Sequence, residues 1–186
     1  QERVSEVLDR SLAALPPLDV FDQVMTPALI EVGDRWHAGT LTVAQEHLVS
    51  HAIRQRLLSL ILGAPKESRR HVVCACFPEE DHEVGLLGAA LRFRHAGFRV
   101  TYLGPRTPAA QVGKVAESLR PDLIALSSTS SPNRSHFRTT LKSIFASLPA
   151  KQRLVVGGVN AETFSEVVLE FGATIATTET WKLILA

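Results

Sequence analysis

The sequence predicts an α/β protein in two parts: a helical N-terminal part and a parallel β-sheet covered by helices. Two observations carry this prediction. Apolar residues recur at helical spacing through residues 1–63, whereas short apolar runs alternate with helical patterns from residue 71 onwards. Apolar positions three and four apart indicate amphipathic helices, and strands that alternate with helices are typical of a parallel sheet. A polar segment with glycine and proline, residues 63–68, separates the two parts.

Three helices are expected in the N-terminal part. The first ends at Pro16, because proline follows a helical pattern of valines and leucines. The second runs from Val20 to about Ala38, with a kink expected at Pro27. The third runs from Val43 to about Leu62. Residues 1–65 therefore resemble a four-helix bundle, whose remaining helix could lie upstream of Gln1.

Five strands and five helices are expected in the C-terminal part, residues 70–186. The predicted strands are 71–77, 99–103, 123–127, 153–156 and 174–176. The predicted helices are 84–95, 108–119, 137–148, 162–171 and 180–186. This order favours a Rossmann-like or flavodoxin-like parallel sheet, in which ligands bind beyond the carboxyl ends of the strands.

The composition indicates a globular protein without an obvious nucleic-acid or membrane surface. Net charge is +1 and the basic residues are scattered, which disfavours direct DNA binding by this sequence. No apolar run approaches the ~20 residues that span a bilayer, and no signal peptide is visible. Cys74 and Cys76 lie in a predicted strand and are expected to be buried, reduced thiols, a metal site being the alternative. These features predict a cytoplasmic protein without membrane contact.

The loop after the first strand carries the strongest chemical signal. It contains Glu80-x-His82-x-x-Gly85 within a run of four carboxylates. A carboxylate that accepts from one imidazole nitrogen leaves the other nitrogen free for a metal, and Glu80 is best placed for this role. Asp81 is the alternative partner of His82. The acidic residues could instead be solvated in the first turn of the next helix, where negative charge is favourable.

Three motifs of the C-terminal part together resemble those of cobalamin-binding domains. Glu80-x-His82-x-x-Gly85 is similar to their DxHxxG signature, with glutamate in place of aspartate. Ser127-Ser128-Thr129 is similar to the serine segment after their third strand, and Gly157-Gly158 to the glycine pair after their fourth. Each motif alone is weak, since a glycine pair after a strand is usually a turn. The three occur in the expected order across residues 70–186.

This resemblance implies a lower axial cobalt ligand and a slot for the nucleotide tail. His82 would replace the dimethylbenzimidazole base beneath the cobalt, and small residues would line the slot that receives the displaced tail. The cofactor contacts that it implies come from Glu80, Gly85, Gly104, Ser127, Thr129, Gly157 and Gly158.

Polar and aromatic side chains flank the turn between the second and third helices. Gly39 is a natural helix stop, and Thr42 is a plausible N-cap with Gln45 at the capping-box position. The side chains expected to converge at this end of the helices are Trp36, His37, Val43, Glu46 and His47. A tryptophan buried in a helical hairpin with a polar rim is the alternative interpretation.

Trp36, nine intervening residues and Glu46-His47 resemble the Trp-x9-Glu-His signature of cobalamin-dependent photoreceptor regulators of the CarH type, in the MerR family. The resemblance implies a helical cap over the upper corrin face, with Trp36, Val43, Glu46 and His47 around the adenosyl group of adenosylcobalamin. His37 would take the upper cobalt position after light has broken the cobalt–carbon bond. The implied protein is a repressor and not an enzyme. It would be a light-dependent homo-oligomer, dimer or tetramer, which binds DNA through a helix-turn-helix domain outside this sequence.

Two other functions remain open at this stage. A corrinoid protein that carries methyl groups for a methyltransferase, as methylcobalamin, would share the helical cap and the lower-ligand motif. A methyl group calls for a small apolar lid, which the polar residues near Trp36 do not suggest. A regulator that keeps the fold and works without a cofactor is the third possibility.

The other histidines are given less specific interpretations. His51 lies one turn after His47 and is expected at the surface, although it could support the cofactor site. His71, His95 and His136 lie at the ends of predicted elements and are expected to face solvent.

Overall fold

The computed structural model describes residues 2–63 and 68–186. The chain divides into two compact units, a helical unit of residues 1–65 and a sheet unit of residues 66–186. None of the helices in the described ranges combines the length and the apolar character that crossing a membrane requires.

The helical unit contains four α-helices and a π-helical segment in its described part. The helices are α1 (Glu2–Ala14), α2 (Pro17–Val20), α3 (Thr26–His37) and α4 (Val43–Leu62), and the π-helical segment, Phe21–Met25, lies between α2 and α3. Its buried core is formed by Leu8, Val20, Phe21, Met25, Ala52, Ile53, Leu57 and Ile61. Apolar side chains at helical spacing thus pack the helices together, as the periodicity predicts.

The irregularity in the second predicted helix lies earlier than expected. Helical turns continue from Pro17 to His37, and the widened π-helical turns end at Met25, just before Pro27. Pro27 has no amide hydrogen to donate to the carbonyl of Gln23, four residues earlier. Wider turns immediately upstream are one way for a helix to accommodate this missing bond.

The sheet unit is a five-stranded parallel sheet in the order β2-β1-β3-β4-β5. Its strands are β1 (His71–Cys76), β2 (Arg99–Gly104), β3 (Leu123–Ser127), β4 (Leu154–Gly157) and β5 (Thr174–Ile175). Its helices are α5 (Val84–His95), α6 (Ala109–Leu119), α7 (Arg134–Ser147), α8 (Val159–Thr163), α9 (Ser165–Glu170) and α10 (Trp181–Leu185). This flavodoxin-like order confirms the predicted α/β class and puts the topological switch point between β1 and β3.

The two central strands are buried along their whole length. Every residue of β1 and β3 is buried, as expected for strands of a parallel sheet covered on both faces. Cys74 and Cys76 lie in β1 without a disulfide between them, and their burial is as predicted. Burial, with a smaller contribution from Glu80, raises the pKa of Cys76 to about 12, so this thiol stays protonated and unreactive.

Two predicted helices have different boundaries in the structure. The helix expected over 162–171 is two short helices, α8 and α9, which meet at Phe164, where the backbone leaves the helical region. Helix α7 begins at Arg134 rather than at Phe137, because the Asn133 side chain accepts a hydrogen bond from the His136 amide at 2.9 Å. Such caps satisfy amides that have no partner within the helix.

The prediction that His71 faces solvent is wrong. His71 is 3% exposed at the start of β1. Its Nδ1 accepts a hydrogen bond from Arg99 at 2.9 Å, so Nε2 carries the proton and donates to Thr101 Oγ1 at 2.8 Å. Its backbone amide donates to Asp122 at 2.7 Å. Burial first, and then Arg99, hold the pKa of His71 below its ordinary value of 6.5 against the opposing effect of Asp122.

The other histidine expectations have mixed outcomes. His51 and His95 are exposed, as predicted. His136 is half-buried, and its Nε2 contacts a Glu79 carboxylate oxygen at 2.6 Å.

The environment of His71 predicts a pH-dependent stability. Unfolded His71 titrates near 6.5, whereas folded His71 takes up its proton only at a lower pH. Near and below pH 6.5 the unfolded state therefore binds more protons than the folded state. The free energy of unfolding should consequently fall as the pH is lowered from about 7.5 to about 5.5. Urea unfolding of the parent and of His71→Gln should show a smaller decrease in the variant. Exposed His95→Gln is the control and should keep the parental decrease; equal decreases in all three proteins would contradict the assignment.

Candidate functional site

The loop after β1 is fixed at the carboxyl ends of β1 and β3. The amide of Phe77 donates to the carbonyl of Ser127 at 3.0 Å, which continues the pairing of the two strands. The amide of Glu80 then donates to the Phe77 carbonyl at 3.0 Å and turns the chain back. The Glu80 carbonyl accepts from the Arg106 amide at 3.0 Å, which attaches the loop after β2.

The Glu80 carboxylate lies at the centre of this arrangement and is only 2% exposed. Its Oε2 accepts from the amides of Thr129 and Ser130, the latter at 2.7 Å. Its Oε1 accepts from the Ser130 hydroxyl, the His82 amide and His82 Nδ1, each at 2.8 Å. Burial alone would raise the pKa of Glu80, but these hydrogen bonds together hold it below its usual range. Glu80 is therefore ionised at neutral pH.

The ionised Glu80 determines which nitrogen of His82 carries the proton. A carboxylate can only accept, so Nδ1 must donate, both to Glu80 and to the Ser130 hydroxyl at 2.7 Å. Nε2 then has a free lone pair, and it has no hydrogen-bond partner among residues 2–63 and 68–186. The His82 side chain is 71% exposed. An imidazole held in this way is suited to bind a metal through Nε2.

The carboxylates of the loop fall into two classes, contrary to the alternative that all are solvated. Glu80 and Glu83 are buried, whereas Glu79 and Asp81 are exposed. Asp81 pairs with Arg106, with 2.5 Å between Asp81 Oδ2 and Arg106 Nη2, and does not hold His82. The longer glutamate side chain at position 80 therefore reaches the imidazole.

Glu83 forms a second polar contact beside the same loop. It accepts a hydrogen bond from the Tyr102 hydroxyl at 2.7 Å. Burial, and then Glu83, raise the pKa of Tyr102, so the phenol remains a donor. Gly104 ends β2 with φ +84°, and a Cβ there would lie 3.4 Å from the Tyr102 ring. Sequence reasoning missed Tyr102 and Ser130, because their partners lie 19 and 50 residues away in the chain.

The predicted binding residues after β3 and β4 shape this end of the sheet mainly through backbone contacts. Ser127 is buried at the end of β3, while the Thr129 side chain is exposed and its amide binds Glu80. Gly158 has φ +91°, and a Cβ there would lie 2.3 Å from the Ser128 carbonyl oxygen. At Gly157 a Cβ would lie 3.3 Å from the Ala176 Cβ. Packing within the sheet unit, against the Ser128 backbone at Gly158 and against the Ala176 side chain at Gly157, therefore favours this glycine pair without any ligand.

Gly85 differs from these glycines. A Cβ at Gly85 would meet nothing within 4 Å, so the fold of the sheet unit does not require a glycine there. It follows the exposed His82 by three residues, in the first turn of α5. Open space at Gly85, together with the free Nε2 of His82, is what a large, flat, metal-centred ligand such as a corrin would require.

In the helical unit, the residues singled out by sequence lie where α3 ends and α4 begins. The carbonyl of Arg35 accepts from the amides of Thr40 and Leu41 at 2.9 and 3.2 Å and closes the turn. The predicted capping box is present: Gln45 N donates to Thr42 Oγ1 at 3.3 Å, and Thr42 N donates to Gln45 Oε1 at 2.9 Å.

Two large apolar side chains at this turn, Trp36 and Val43, are partly exposed to solvent. Trp36 is 42% exposed, which contradicts the alternative of a buried tryptophan, and Val43 is 52% exposed. His37 packs edge-on against Trp36, with ring centroids 4.6 Å apart. His37 Nδ1 donates to the Gly33 carbonyl at 2.8 Å, so its Nε2 also keeps a free lone pair.

Glu46 and His47 contact each other on α4. Glu46 Oε2 accepts from His47 Nδ1 at 2.5 Å. The helical unit thus presents apolar surface, a carboxylate and two imidazoles at one end of its α3–α4 hairpin.

The buried position of Glu80 predicts unequal effects of two neighbouring substitutions. In Glu80→Gln an amide group must face backbone amides that need an acceptor, so the free energy of unfolding should fall by about 2 kcal/mol. The control, Asp81→Asn, removes an exposed pair with Arg106 and should change stability little. Urea unfolding of the parent and of both variants measures these changes. Similar midpoints for the two variants would show that Glu80 does not hold the loops together.

Comparison with known proteins supports the motifs found in the sequence. Two families, each described as a B12 binding domain, match residues 1–60 and 70–180. The chain is 54% identical over 167 residues to the HTH-type transcriptional repressor CarH of Myxococcus xanthus, and 32% identical over 176 residues to the repressor CarA of the same organism. These alignments cover 90% and 94% of this chain.

The same fold occurs in a solved structure, that of the monomethylamine corrinoid protein of Methanosarcina barkeri. The TM-score is 0.75 at 18% identity, and the match covers 97% of this chain and 88% of that one. The chain spans 56% and 59% of the lengths of CarH and CarA, so it corresponds to just over half of each. The 54% identity to CarH confirms the resemblance to CarH-type regulators. The chain belongs to the B12 binding domain family and is a cobalamin-binding portion of the CarH type.

Proposed function

We propose that this chain is the adenosylcobalamin-binding, light-sensing part of a transcriptional repressor. The observation that carries the proposal is the pinned tautomer of His82, whose Nδ1–H donates to buried Glu80 and whose Nε2 is left free. The identity to CarH, a named transcriptional repressor, supports the assignment to a regulator rather than an enzyme.

The sheet unit would hold the lower face of the cofactor. His82 Nε2 is the proposed lower cobalt ligand, and Glu80 keeps the imidazole in the required orientation and tautomer. The predicted contacts beside it are Gly85, Gly104, Ser127, Thr129, Gly157 and Gly158. The open space at Gly85 is the position where an added side chain would meet a corrin before it met the protein.

The helical unit would hold the upper face. Adenosylcobalamin would supply a cobalt–carbon bond that visible light breaks. Trp36 and Val43 offer exposed apolar surface to the adenosyl group, and Glu46 and His47 offer polar contacts. His37 Nε2 is the proposed upper ligand once the adenosyl group has left, because the Gly33 carbonyl already holds its Nδ1 proton.

The output would be a change of assembly. Without an adenosyl group Trp36 would have no partner at this surface, and His37, if it then held the cobalt, would favour a second arrangement of the helical unit. We expect a homo-oligomer, dimer or tetramer, in the dark and its dissociation in light. DNA would be bound in the cytoplasm by a helix-turn-helix domain outside this sequence, and this chain would catalyse no reaction.

A methyl carrier loaded with methylcobalamin is the second candidate. The observation that favours it is the fold shared with the monomethylamine corrinoid protein. The chemistry near the α3–α4 turn favours the sensor, because a methyl group would leave the exposed Trp36 and the Glu46 carboxylate without a ligand to contact.

Illumination separates the two candidates. Purified chain loaded with adenosylcobalamin in the dark should change its visible absorption spectrum within a short exposure to blue-green light. Its elution volume in size-exclusion chromatography should change at the same time. A light-stable assembly that transfers a methyl group to a thiol would support the carrier, and a protein that stays colourless after loading would exclude both.

Histidine variants test the two faces separately. His82→Ala should bind adenosylcobalamin more weakly and lose the spectrum of nitrogen-ligated cobalt in the dark. His37→Ala should bind normally in the dark but fail to form the stable photoproduct. The control is His95→Ala, an exposed histidine at the end of α5, which should behave as the parent does. Identical spectra for the His82 and His37 variants, in dark and light, would refute the assignment of one ligand to each face.

A further inference from the structure

Helix α4 carries two histidines one turn apart, His47 and His51, and the proposed cobalamin site uses only the first. Residues four apart in a helix share a face. The two rings lie 5.5 Å apart between centroids, with an angle of 29° between their planes. Both side chains are exposed, and both line one groove with Ser5 and Gln55. Two imidazoles therefore face the same solvent-accessible groove.

The spacing of the rings matches two imidazoles bound to one metal ion. When both nitrogens lie about 2.0–2.1 Å from a tetrahedral ion, the ring centroids are roughly 5.2 Å apart. The observed spacing of 5.5 Å is slightly larger, and a small rotation of either side chain would remove the difference. The same four-residue spacing on a helix holds zinc in the His-Glu-x-x-His motif.

The hydrogen bonds of the pair leave the nitrogens available. Glu46 Oε2 accepts from His47 Nδ1 at 2.5 Å, so the lone pair of His47 lies on Nε2. A carboxylate in this position fixes the ring and makes the free nitrogen a better ligand. The ring of His51 has no hydrogen-bond partner in the described parts of the chain, so no bond must break before it binds an ion.

We infer that His47 and His51 form a chelating site for a borderline divalent ion such as Zn²⁺, Ni²⁺ or Cu²⁺, distinct from the cobalt site. Imidazole ligands favour these ions over Mg²⁺ and Ca²⁺, which prefer oxygen. Within residues 2–63 and 68–186, no group of three or more histidine, cysteine or acidic side chains is arranged around a metal position. Two imidazoles therefore supply the protein ligands, water completes the coordination, and the ion exchanges readily.

The site needs no cobalamin to form, but it shares His47 with the proposed upper face, so the ion and the cofactor would compete for this residue. An ion on the His47–His51 pair would occupy the nitrogen that we assign to the adenosyl group. Binding of the ion to cobalamin-free protein depends only on α4, so its failure would leave the proposed function untouched.

Isothermal titration calorimetry of the cobalamin-free chain with ZnCl₂ tests the site, with MgCl₂ as the comparison salt. The parent should bind one Zn²⁺ with a saturating signal and give no signal with Mg²⁺. His51→Gln should bind Zn²⁺ at least about tenfold more weakly, because a single imidazole cannot chelate. His95→Gln is the matched control, an exposed histidine outside the pair, and should bind as the parent does.

A second readout localises the ion and guards against sites elsewhere. In the NMR spectrum of the parent, two histidine Cε1–H signals should shift together as Zn²⁺ is added, and one of them should be absent in His51→Gln. Glu46→Gln should keep the site but bind about tenfold more weakly, because Glu46 supports His47 through Nδ1. Parental Zn²⁺ affinity in His51→Gln, or signals of His47 and His51 that stay unshifted at saturating Zn²⁺, would overturn the inference.

Discussion

The arrangement of the candidate site depends on one buried carboxylate. Taking an ion such as Glu80 out of water costs several kcal/mol unless hydrogen bonds replace the lost solvation. Five hydrogen bonds do so, from the backbone and side chains of Thr129, Ser130 and His82. The donors of these bonds lie in the loops after β1 and β3. The same hydrogen bonds therefore replace the lost solvation of the charge and join the two loops. The orientation of His82 follows from it.

The neighbouring carboxylate, Asp81, shows that burial determines how much a carboxylate contributes to the structure. Unlike Glu80, Asp81 pairs with a cation, Arg106, at short distance, but both side chains of this pair are more than half exposed. Water screens such a pair, and its two flexible side chains lose entropy when they are held together. Of two adjacent carboxylates, the one without a cationic partner therefore contributes more to the structure. Charge pairing in the sequence alone would have suggested the opposite.

Much of the fold could be predicted from the sequence, because it is encoded locally. The apolar runs of β1 and β3, the helical spacing in α5 and the Thr42 cap are each contained within a few residues. The pairing of Ser130 with Glu80 and of Tyr102 with Glu83 depends on chain crossings that no local pattern records. The break at Phe164 and the burial of His71 were missed for a related reason: a histidine at the start of a strand looks like a surface residue until Arg99 and Thr101 pack beside it.

The histidines also show how a ligand can be distinguished from a structural residue. In His37, His47 and His82 an acceptor holds the Nδ1 proton: a backbone carbonyl, a neighbouring carboxylate and a buried carboxylate, respectively. Each of these imidazoles keeps a free nitrogen at an exposed position. His71 is the reverse, since one of its nitrogens accepts, the other donates, and the ring is buried. A histidine whose two nitrogens are both engaged must break a hydrogen bond before it binds a metal, whereas the other three need only release water. All four residues are histidines, so their different suitability as metal ligands comes from the hydrogen-bond partners that the fold places beside each ring.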